Sequence, residues 1–462
     1  MTGNPLENSL LKDLRSILPE GSILTGEEAI ICYSSDATRL PGRPDVVVRP
    51  DNTSQVAEVI RLAASHGVPV VPRGAGTGLS GGCVPASGGV VVSTERLNRI
   101  IEIDPLDRQA VVEPGVITAK LHEAVEAVGL FYPPDPASFK SSTMGGNLAE
   151  NSGGLRGLKY GVTRDYAMEL KVVLPSGELI KAGGRTLKNV TGYDMARLFV
   201  GSEGTLGFIT EATVKLIPKP EAKAAFLAAY ATLEAASEAV VAIIRAGVTP
   251  STLEIMDDVT IKAVNEYLGR EDGPGCGALI LAEVDGSAPD VARQSEKLEA
   301  ALGGSVPLYM RKASGAAEHE SLWAARRAAL SALARVSPSV ILEDATVPRK
   351  RLPDMARAIR KIADKYGLLI GTFGHAGDGN LHPTIITDMR VEENRQRVDA
   401  AVADIFSAAI AIGGTLSGEH GIGLAKAAFM EQELGEAGVG AMKAVKRALD
   451  PAGIMNPGKI FL

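Results

Sequence analysis

A two-part α+β fold is what this chain predicts, and three observations carry that expectation. Short apolar runs alternate with short amphipathic stretches through the first half, and long alanine-rich helical stretches alternate with strands in the second. Between them the composition changes at Pro218-Lys219-Pro220. At 462 residues there is enough chain for two or three domains. No internal repeat or low-complexity tract is visible.

Residues 52–66 read as a helix. Val56, Val59, Ile60 and Ala63 follow helical spacing, Asn52 or Thr53 caps the start, and Gly67 stops it. Val68–Val71 is then a strand, followed by strands at 89–93, 100–103 and 109–113, with Asp104-Pro105-Leu106-Asp107 as a turn. A helix at 118–128 ends at Gly129, and strands at 169–174 and 179–182 flank the turn Pro175-Ser176-Gly177. Gly201–Thr210 leads into a strand ending near Pro218. Beyond the composition change, helices are expected at 221–246, 288–301, 316–335, 353–366 and 391–412, and strands at 251–256, 278–285 and 340–344. That order suits an antiparallel sheet covered by helices. The tail Asp450–Lys459 reads as loop.

Composition narrows the partners. Lys+Arg 48 against Asp+Glu 55 gives a net charge of −7, and aromatics are 4%, which together disfavour a nucleic-acid or anionic-lipid binder. Cys32, Cys83 and Cys276 are far apart and form no CxxC pair, which excludes a cysteine-ligated iron–sulfur cluster within the chain and fits a reducing cytoplasm. The opening Met1-Thr2-Gly3-Asn4-Pro5-Leu6-Glu7 has neither the basic nor the apolar region of an export signal. A cytoplasmic chain is expected, with any attachment at the inner membrane peripheral and through partner subunits.

The most informative stretch is Val70-Val71-Pro72-Arg73-Gly74-Ala75-Gly76-Thr77-Gly78-Leu79-Ser80-Gly81-Gly82. Glycines bare consecutive backbone amides that can turn inward on an anion. The spacing Gly76-x-Gly78-x-x-Gly81 matches a dinucleotide fingerprint formally, but Pro85 and Gly88-Gly89 stand where its helix should run. No Gly-Lys-Ser/Thr follows either, so a Walker loop fails. What remains is a strand-loop-strand cradle for a pyrophosphate, with Arg73 as counter-charge. A second glycine-rich region spans 133–165, and two such regions suit one large, extended dinucleotide.

Three histidines fall in two glycine-bounded segments, Gly374-His375-Ala376-Gly377-Asp378-Gly379-Asn380-Leu381-His382-Pro383 and Ser417-Gly418-Glu419-His420-Gly421. Asp378-Gly379 is a hairpin signal, with 367–373 and 384–386 as its strands, and such a turn brings His375 and His382 together. With Glu419 they make a ligand set for a divalent metal such as zinc or manganese; the bland alternative is a pair of turn histidines and a helix-end carboxylate. Arg326 has the planar fork that captures a carboxylate, although Arg326 and Arg327 on an alanine-rich helix also read as a solvated face. His66 and His122, on amphipathic helices, are most simply solvated.

Seven ordered motifs resemble one family. They are Pro-Arg-Gly-Ala-Gly-Thr-Gly at 72–78, Gly-Gly-Asn at 145–147, Asn-Val-Thr-Gly-Tyr-Asp at 189–194, Glu-Gly-Thr-Leu-Gly at 203–207, the two histidine segments, and Asn-Pro-Gly-Lys at 456–459. The chain is similar over nearly its whole length to FAD-linked oxidases of the vanillyl-alcohol oxidase type. Within them it resembles the branch of bacterial glycolate oxidase flavin subunits, D-lactate dehydrogenases and D-2-hydroxyglutarate dehydrogenases.

This resemblance implies a PCMH-type FAD-binding domain over 1–219, an α/β cap domain over 220–425 and a C-terminal segment, 426–462, returning to the FAD domain. It places non-covalent FAD on Pro72, Arg73, Gly74, Ala75, Gly76, Thr77, Gly78 and Gly82. Further contacts fall on Pro134, Asp135, Ser138, Thr143, Gly145, Gly146, Asn147, Asn151, Ser152 and Gly161, and on Glu203, Gly204, Thr205, Gly207, Ile209 and Asn456. It makes His375, His382 and Glu419 metal ligands, His420 the base, and Arg326 with His375 the substrate contacts. The implied reaction is oxidation of a small D-2-hydroxy acid, glycolate or D-lactate, with electrons passed to an iron–sulfur subunit or quinone in a hetero- or homo-oligomer. Leu330 and Leu342 stand where relatives acting on hydroxyglutarate hold further substrate contacts, which favours a small substrate over that longer acid. A metal-dependent hydrolase, a non-catalytic flavoprotein subunit and an NADPH-dependent reductase stay open as alternatives.

Overall fold

The computed structural model describes residues 5–461, so part of the export-signal reading, Met1–Asn4, lies outside the described residues. The chain forms two compact units. The first takes Met1–Gly153, Val162–Lys219 and Glu419–Leu462, and the second Gly154–Gly161 and Pro220–Gly418. The second unit therefore stops at Gly418, where the sequence reading carries its cap to 425, and it gathers in Gly154–Gly161. Local bonding explains the insertion. Leu158 packs on the apolar core of that unit, Lys159 Nζ donates to the Asp285 carbonyl at 2.6 Å, and Tyr160 Oη donates to the Asp285 carboxylate at 2.9 Å.

In the first unit, Val46–Val48 and Val70–Arg73 both pair in parallel with Val90–Ser93. Helix Thr53–His66 lays Val56, Val59, Ile60 and Ala63 on that sheet against Val46, Val70, Val90 and Val92. Its cap is Asn52, which accepts from the Gln55 amide at 3.0 Å. A second, antiparallel sheet runs in the order Ile100–Asp104, Gln109–Val112, Phe208–Lys215, Ala167–Val173, Leu179–Gly183. The chain's last segment docks on the first sheet, with the Val70 amide donating to Ile454 and the Asn456 amide to Val70, both at 2.8 Å. Before it comes Met430–Leu449, helical on either side of a break at Gly435 (φ 69), which the sequence does not announce because glycines at 435, 438 and 440 interrupt it.

The second unit is one large sheet. Its strands run Tyr309–Lys312, Ala222–Tyr230, Ala278–Gly286, Thr252–Asp257, Leu369–His375, Asn380–Thr387, Ser339–Leu342, with Ala345–Thr346 also on Asn380–Thr387. Helices Leu233–Arg245, Ala288–Gly304, Leu352–Tyr366 and Glu392–Ala411 cover one face, and Asp258–Leu268 and Ala316–Leu333 the other. One expectation is overturned here. Residues 222–230 are a strand, and the helix begins only at Leu233 behind the Thr232 cap. Alanine favours helix locally, but Ala222–Tyr230 pairs residue by residue with Ala278–Gly286 and also with Tyr309–Lys312, so two ladders of hydrogen bonds outweigh a propensity of a few tenths of a kcal/mol per residue.

Candidate active site

The sheet face covered by Ala316–Leu333 is largely apolar, but besides Glu283, which bonds His319 and Trp323 of that helix, it carries a row of polar groups. Register creates that row. Phe373 lies opposite His382, and Met256 opposite Phe373, so His375, His382 and Glu254 all point to the same side. The histidines are thus on strands flanking a short turn at Ala376–Asp378, and not in the turn itself. Their rings meet edge to face with centroids 5.2 Å apart, and both are buried.

Glu254 is the organising residue. Its Oε1 accepts from His375 Nδ1 at 2.8 Å and its Oε2 from Arg326 Nε at 2.5 Å, with the carboxylate shut off from solvent. Burial alone would raise this carboxyl, but His375 and Arg326 beside it and the hydrogen bonds they give hold it below its ordinary value. Two consequences follow. A proton kept on His375 Nδ1 leaves Nε2 with its lone pair for a metal. With Nε engaged and the guanidinium 4.7 Å over the Phe373 ring, the two terminal nitrogens of Arg326 are left as a fixed fork. Arg326 is buried and Arg327 exposed, so the solvated-face reading holds for Arg327 alone.

Asp344 serves the second histidine. Its Oδ1 lies 3.9 Å from His382 Nδ1, while Oδ2 accepts from Ser417 Oγ at 2.7 Å and from the Gly418 amide at 2.8 Å. The next two residues, Glu419 and His420, open the last segment of the first unit. There His420 is buried, and Glu419 lies so close to Gly153 that a Cβ on that glycine would stand 2.7 Å from Glu419 Oε2. Two facing imidazoles with carboxylate support form a donor set suited to zinc or manganese.

The first unit holds the anion loop. Among the described residues, no amide from Gly74 through Gly82 donates to a protein acceptor, so a run of donors is left for something other than protein. Gly76 has φ +71, and a Cβ there would overlap the Arg73 guanidinium. Arg73 itself is buried beside the loop, giving a hydrogen bond to Cys83 Sγ at 3.2 Å and lying 5.4 Å from the Tyr33 ring centre. Pro72 faces Gly204, and Gly74 faces Thr143. These contacts bring 72–82 beside the second glycine-rich region, and the cradle suits a diphosphate.

Other expected contacts divide by what their side chains already do. Thr143 caps the Met144–Glu150 helix through the Gly146 amide, Asn147 Nδ2 donates to Thr118 Oγ1 at 2.8 Å, and Asn151 Oδ1 accepts from the Arg164 amide at 2.9 Å. Gly145 lies against Pro114, Pro134 accepts from His122 Nε2 at 3.0 Å, and Ser152 and Ser138 offer their carbonyls to Thr163 and Ser142. Glu203, with φ 51, accepts from the amides of Ile422 at 2.8 Å and Gly423 at 2.7 Å, and Asn456 Nδ2 donates to the Gly82 and Glu203 carbonyls. Glu203 and Asn456 thus tie the returning segment to the loop. Asp135 is buried, Thr205 and Ile209 are buried, and Gly207 packs on Val172 and Phe199. Gly161 falls in the second unit, apart from the rest. His122 is not simply solvated, since it stands within 5.9 Å of both the Tyr132 and Phe139 rings, and His66 bonds Asp13.

Sequence reasoning missed Glu254 and Asp344. Glu254 leaves one faint trace, a lone acid inside the apolar strand Thr252-Leu253-Glu254-Ile255-Met256.

A helix-covered antiparallel sheet and an amide-lined loop suited to an anion are compatible with a flavin-binding oxidoreductase, and comparison with known proteins supplies that class. Residues 219–460 match the C-terminal domain of FAD linked oxidases, and 44–183 match an FAD binding domain. The glycolate oxidase subunit GlcD of Bacillus subtilis (strain 168) is 50% identical, covering 93% of this chain and 92% of its own. The D-lactate dehydrogenase of Anaerostipes hadrus is 34% identical, covering 99% of this chain and 98% of its own. Among solved structures, p-cresol methylhydroxylase superposes with a TM-score of 0.79 at 17% identity, over 99% of this chain and 97% of that one, which shows a PCMH-type fold. The chain belongs to the FAD-linked oxidases, and it is an FAD-dependent oxidoreductase. Among the described residues, no helix is long and apolar enough to cross a membrane.

Proposed function

We propose that this chain oxidises a small D-2-hydroxy acid, glycolate or D-lactate, to the 2-oxo acid. The observation that supports this best is the Glu254 bridge, which presents a fixed guanidinium fork beside two facing imidazoles. The amides of 74–82 would hold the FAD diphosphate, and His375, His382 and Glu419 would hold a divalent metal. Bound FAD would supply the acceptor for two electrons and the C2 hydrogen, and a bound metal would supply Lewis acidity at the substrate hydroxyl.

Arg326 receives the substrate carboxylate on its two terminal nitrogens, and Glu254 prevents the fork from turning. His420 accepts the proton of the substrate hydroxyl oxygen, a task suited to an imidazole near neutral pH. Leu342 pairs with Thr384 and so lies on the histidine-bearing face, and Leu330 sits one helical turn past Arg326. Neither can bind a distal carboxylate, which favours a short acid.

The relatives named as oxidase subunits suit a chain that works with a partner subunit, and onward transfer of electrons to an iron–sulfur subunit or a quinone belongs to this proposal. Cys32, Cys83 and Cys276 are separate free thiols, so the cluster would belong to that partner. A cytoplasmic chain attached at the membrane only through partners fits this role. Anaerobic addition of D- and L-2-hydroxy acids tests the reading. Glycolate or D-lactate is expected to bleach the flavin spectrum, and less so after chelation; bleaching by NADPH alone, or a colourless protein that refuses FAD, would overturn it.

A further inference from the structure

We propose that Glu150 carries a proton that FAD needs in order to bind tightly, so that at pH values where the free chain has lost it, capture of the cofactor takes it up again. This rests on the reading that the amides of 74–82 grip the diphosphate.

Glu150 ends the helix Met144–Glu150 with its carboxyl against the glycine loop. An ideal Cβ on Gly82 would lie 2.5 Å from Glu150 Oε1, and one on Gly78 would lie 3.8 Å from both Glu150 Oε1 and Asp36 Oδ2. A Cβ on Gly421 would overlap Glu150 Oε2 and stand 3.2 Å from Glu203 Oε1 and 3.3 Å from Ser80 Oγ. Three carboxyls therefore converge on a space walled by glycines. Glu150 Oε2, Asp36 Oδ2 and Ser80 Oγ are all closed to solvent and make no hydrogen bond, and Ser80 is fully buried.

The three carboxyls are not equally supported as anions. Burial lifts Glu203 to about 7, but two amides with Lys426 and Lys459 keep it from rising further, and Asp36 Oδ1 accepts from the Thr38 amide at 2.9 Å. Glu150 faces Glu203 and Asp36, with the Ser80 hydroxyl beside it and the buried Cys83 thiol near, and neither is a cation. Burial first, and then the charges of Glu203 and Asp36, push its carboxyl well above the ordinary range. Close carboxyls in a dry site do not all ionise, and Glu150 is the one left with the proton.

A diphosphate on the loop adds negative charge beside this group and raises its affinity for the proton further. By linkage FAD then binds best while Glu150 is protonated, and affinity falls as pH rises between the pKa values of the free and loaded chains. Each unit separating those two values weakens binding about tenfold.

The full chain, freed of flavin and titrated with FAD from pH 6 to pH 9, tests this by flavin fluorescence. The wild type is expected to lose about tenfold or more in affinity across that range, and Glu150→Gln to match it at pH 6 but stay nearly flat. Calorimetry in buffers of different ionisation enthalpy gives a second reading on the unmutated protein, with net proton uptake expected over the pH range in which affinity falls. A flat wild-type profile, an unchanged pH dependence in Glu150→Gln, or no proton uptake would overturn the proposal. Failure to bind FAD at any pH would instead overturn the cofactor placement on which it rests.

Discussion

Glu254 fixes Arg326: Oε2 and Nε are 2.5 Å apart, with the carboxylate fully buried and the guanidinium side chain 8% exposed. The same carboxylate reaches His375 with its other oxygen, so one strand residue sets the angle of a cation and the tautomer of an imidazole.

Removing this acid should separate catalysis from folding. Glu254→Gln keeps the shape but not the charge, and turnover is expected to fall at least a hundredfold while FAD content holds. Glu254→Ala leaves a buried guanidinium uncompensated and is expected to cost about 3–5 kcal/mol of stability. Steady-state kinetics beside thermal melts check both, and full activity in the glutamine variant would sink the positioning role.

His420→Ala is expected to retain FAD and lose turnover by a factor of about 10² to 10⁴. Rescue by added imidazole, read as rate against concentration, would mark the defect as a missing base. An active variant would remove the residue from the mechanism.

Metal content gives an independent check. His382→Ala is expected to purify with less than stoichiometric zinc or manganese and to be slow at saturating substrate, with its flavin spectrum unchanged. Elemental analysis decides, and a wild type active without any bound metal would refute the ligand set.

Gly76→Val should abolish flavin retention. Its φ of +71 is strained for a branched side chain by about 1–2 kcal/mol, and the new Cβ would overlap Arg73. The ratio of visible to ultraviolet absorbance in the purified variant measures the outcome; normal flavin loading would mean that the loop tolerates a different shape.

Asp257 offers a pH test. Burial lifts its carboxyl from 3.8 to about 6, against the pull of hydrogen bonds from the Thr260 and Thr372 amides. The fold holds this proton more tightly than the unfolded chain does. The contribution is therefore complete below 3.8 and is lost as pH rises through 6, about 3 kcal/mol in all. Stability of the wild type relative to Asp257→Asn should decline from pH 4 to pH 7 in thermal melts, and a constant difference would contradict it.

Much of the first unit was legible because its signals are local. Asn52 caps and Gly67 stops a helix in the way their chemistry dictates, and the baring of amides at 74–82 needs only glycines. The strand Ala222–Tyr230 was hidden for the opposite reason, since alanines report a local preference while two neighbouring strands decide. Glu254 and Asp344 were hidden because their meaning lies in register. A two-residue periodicity tells which face Glu254 occupies but not that His375 stands beside it on the next strand. That His375 and His382 meet was readable from Asp378-Gly379, as a turn there puts them on neighbouring strands, although the register sets them diagonally, His375 opposite Asn380 and His382 opposite Phe373.

The flavin-binding unit is a composite of three stretches of chain, the last of them Glu419–Leu462, whereas the cap is nearly one continuous run. Synthesis from the ribosome therefore delivers every strand of the cap before the residues that bond Val70 and Glu203 have emerged. Until Asn456 arrives, the loop lacks the side chain that clasps the carbonyls of Gly82 and Glu203. A chain cut short by a few dozen residues should thus make a sound cap and a nucleotide cradle that never closes.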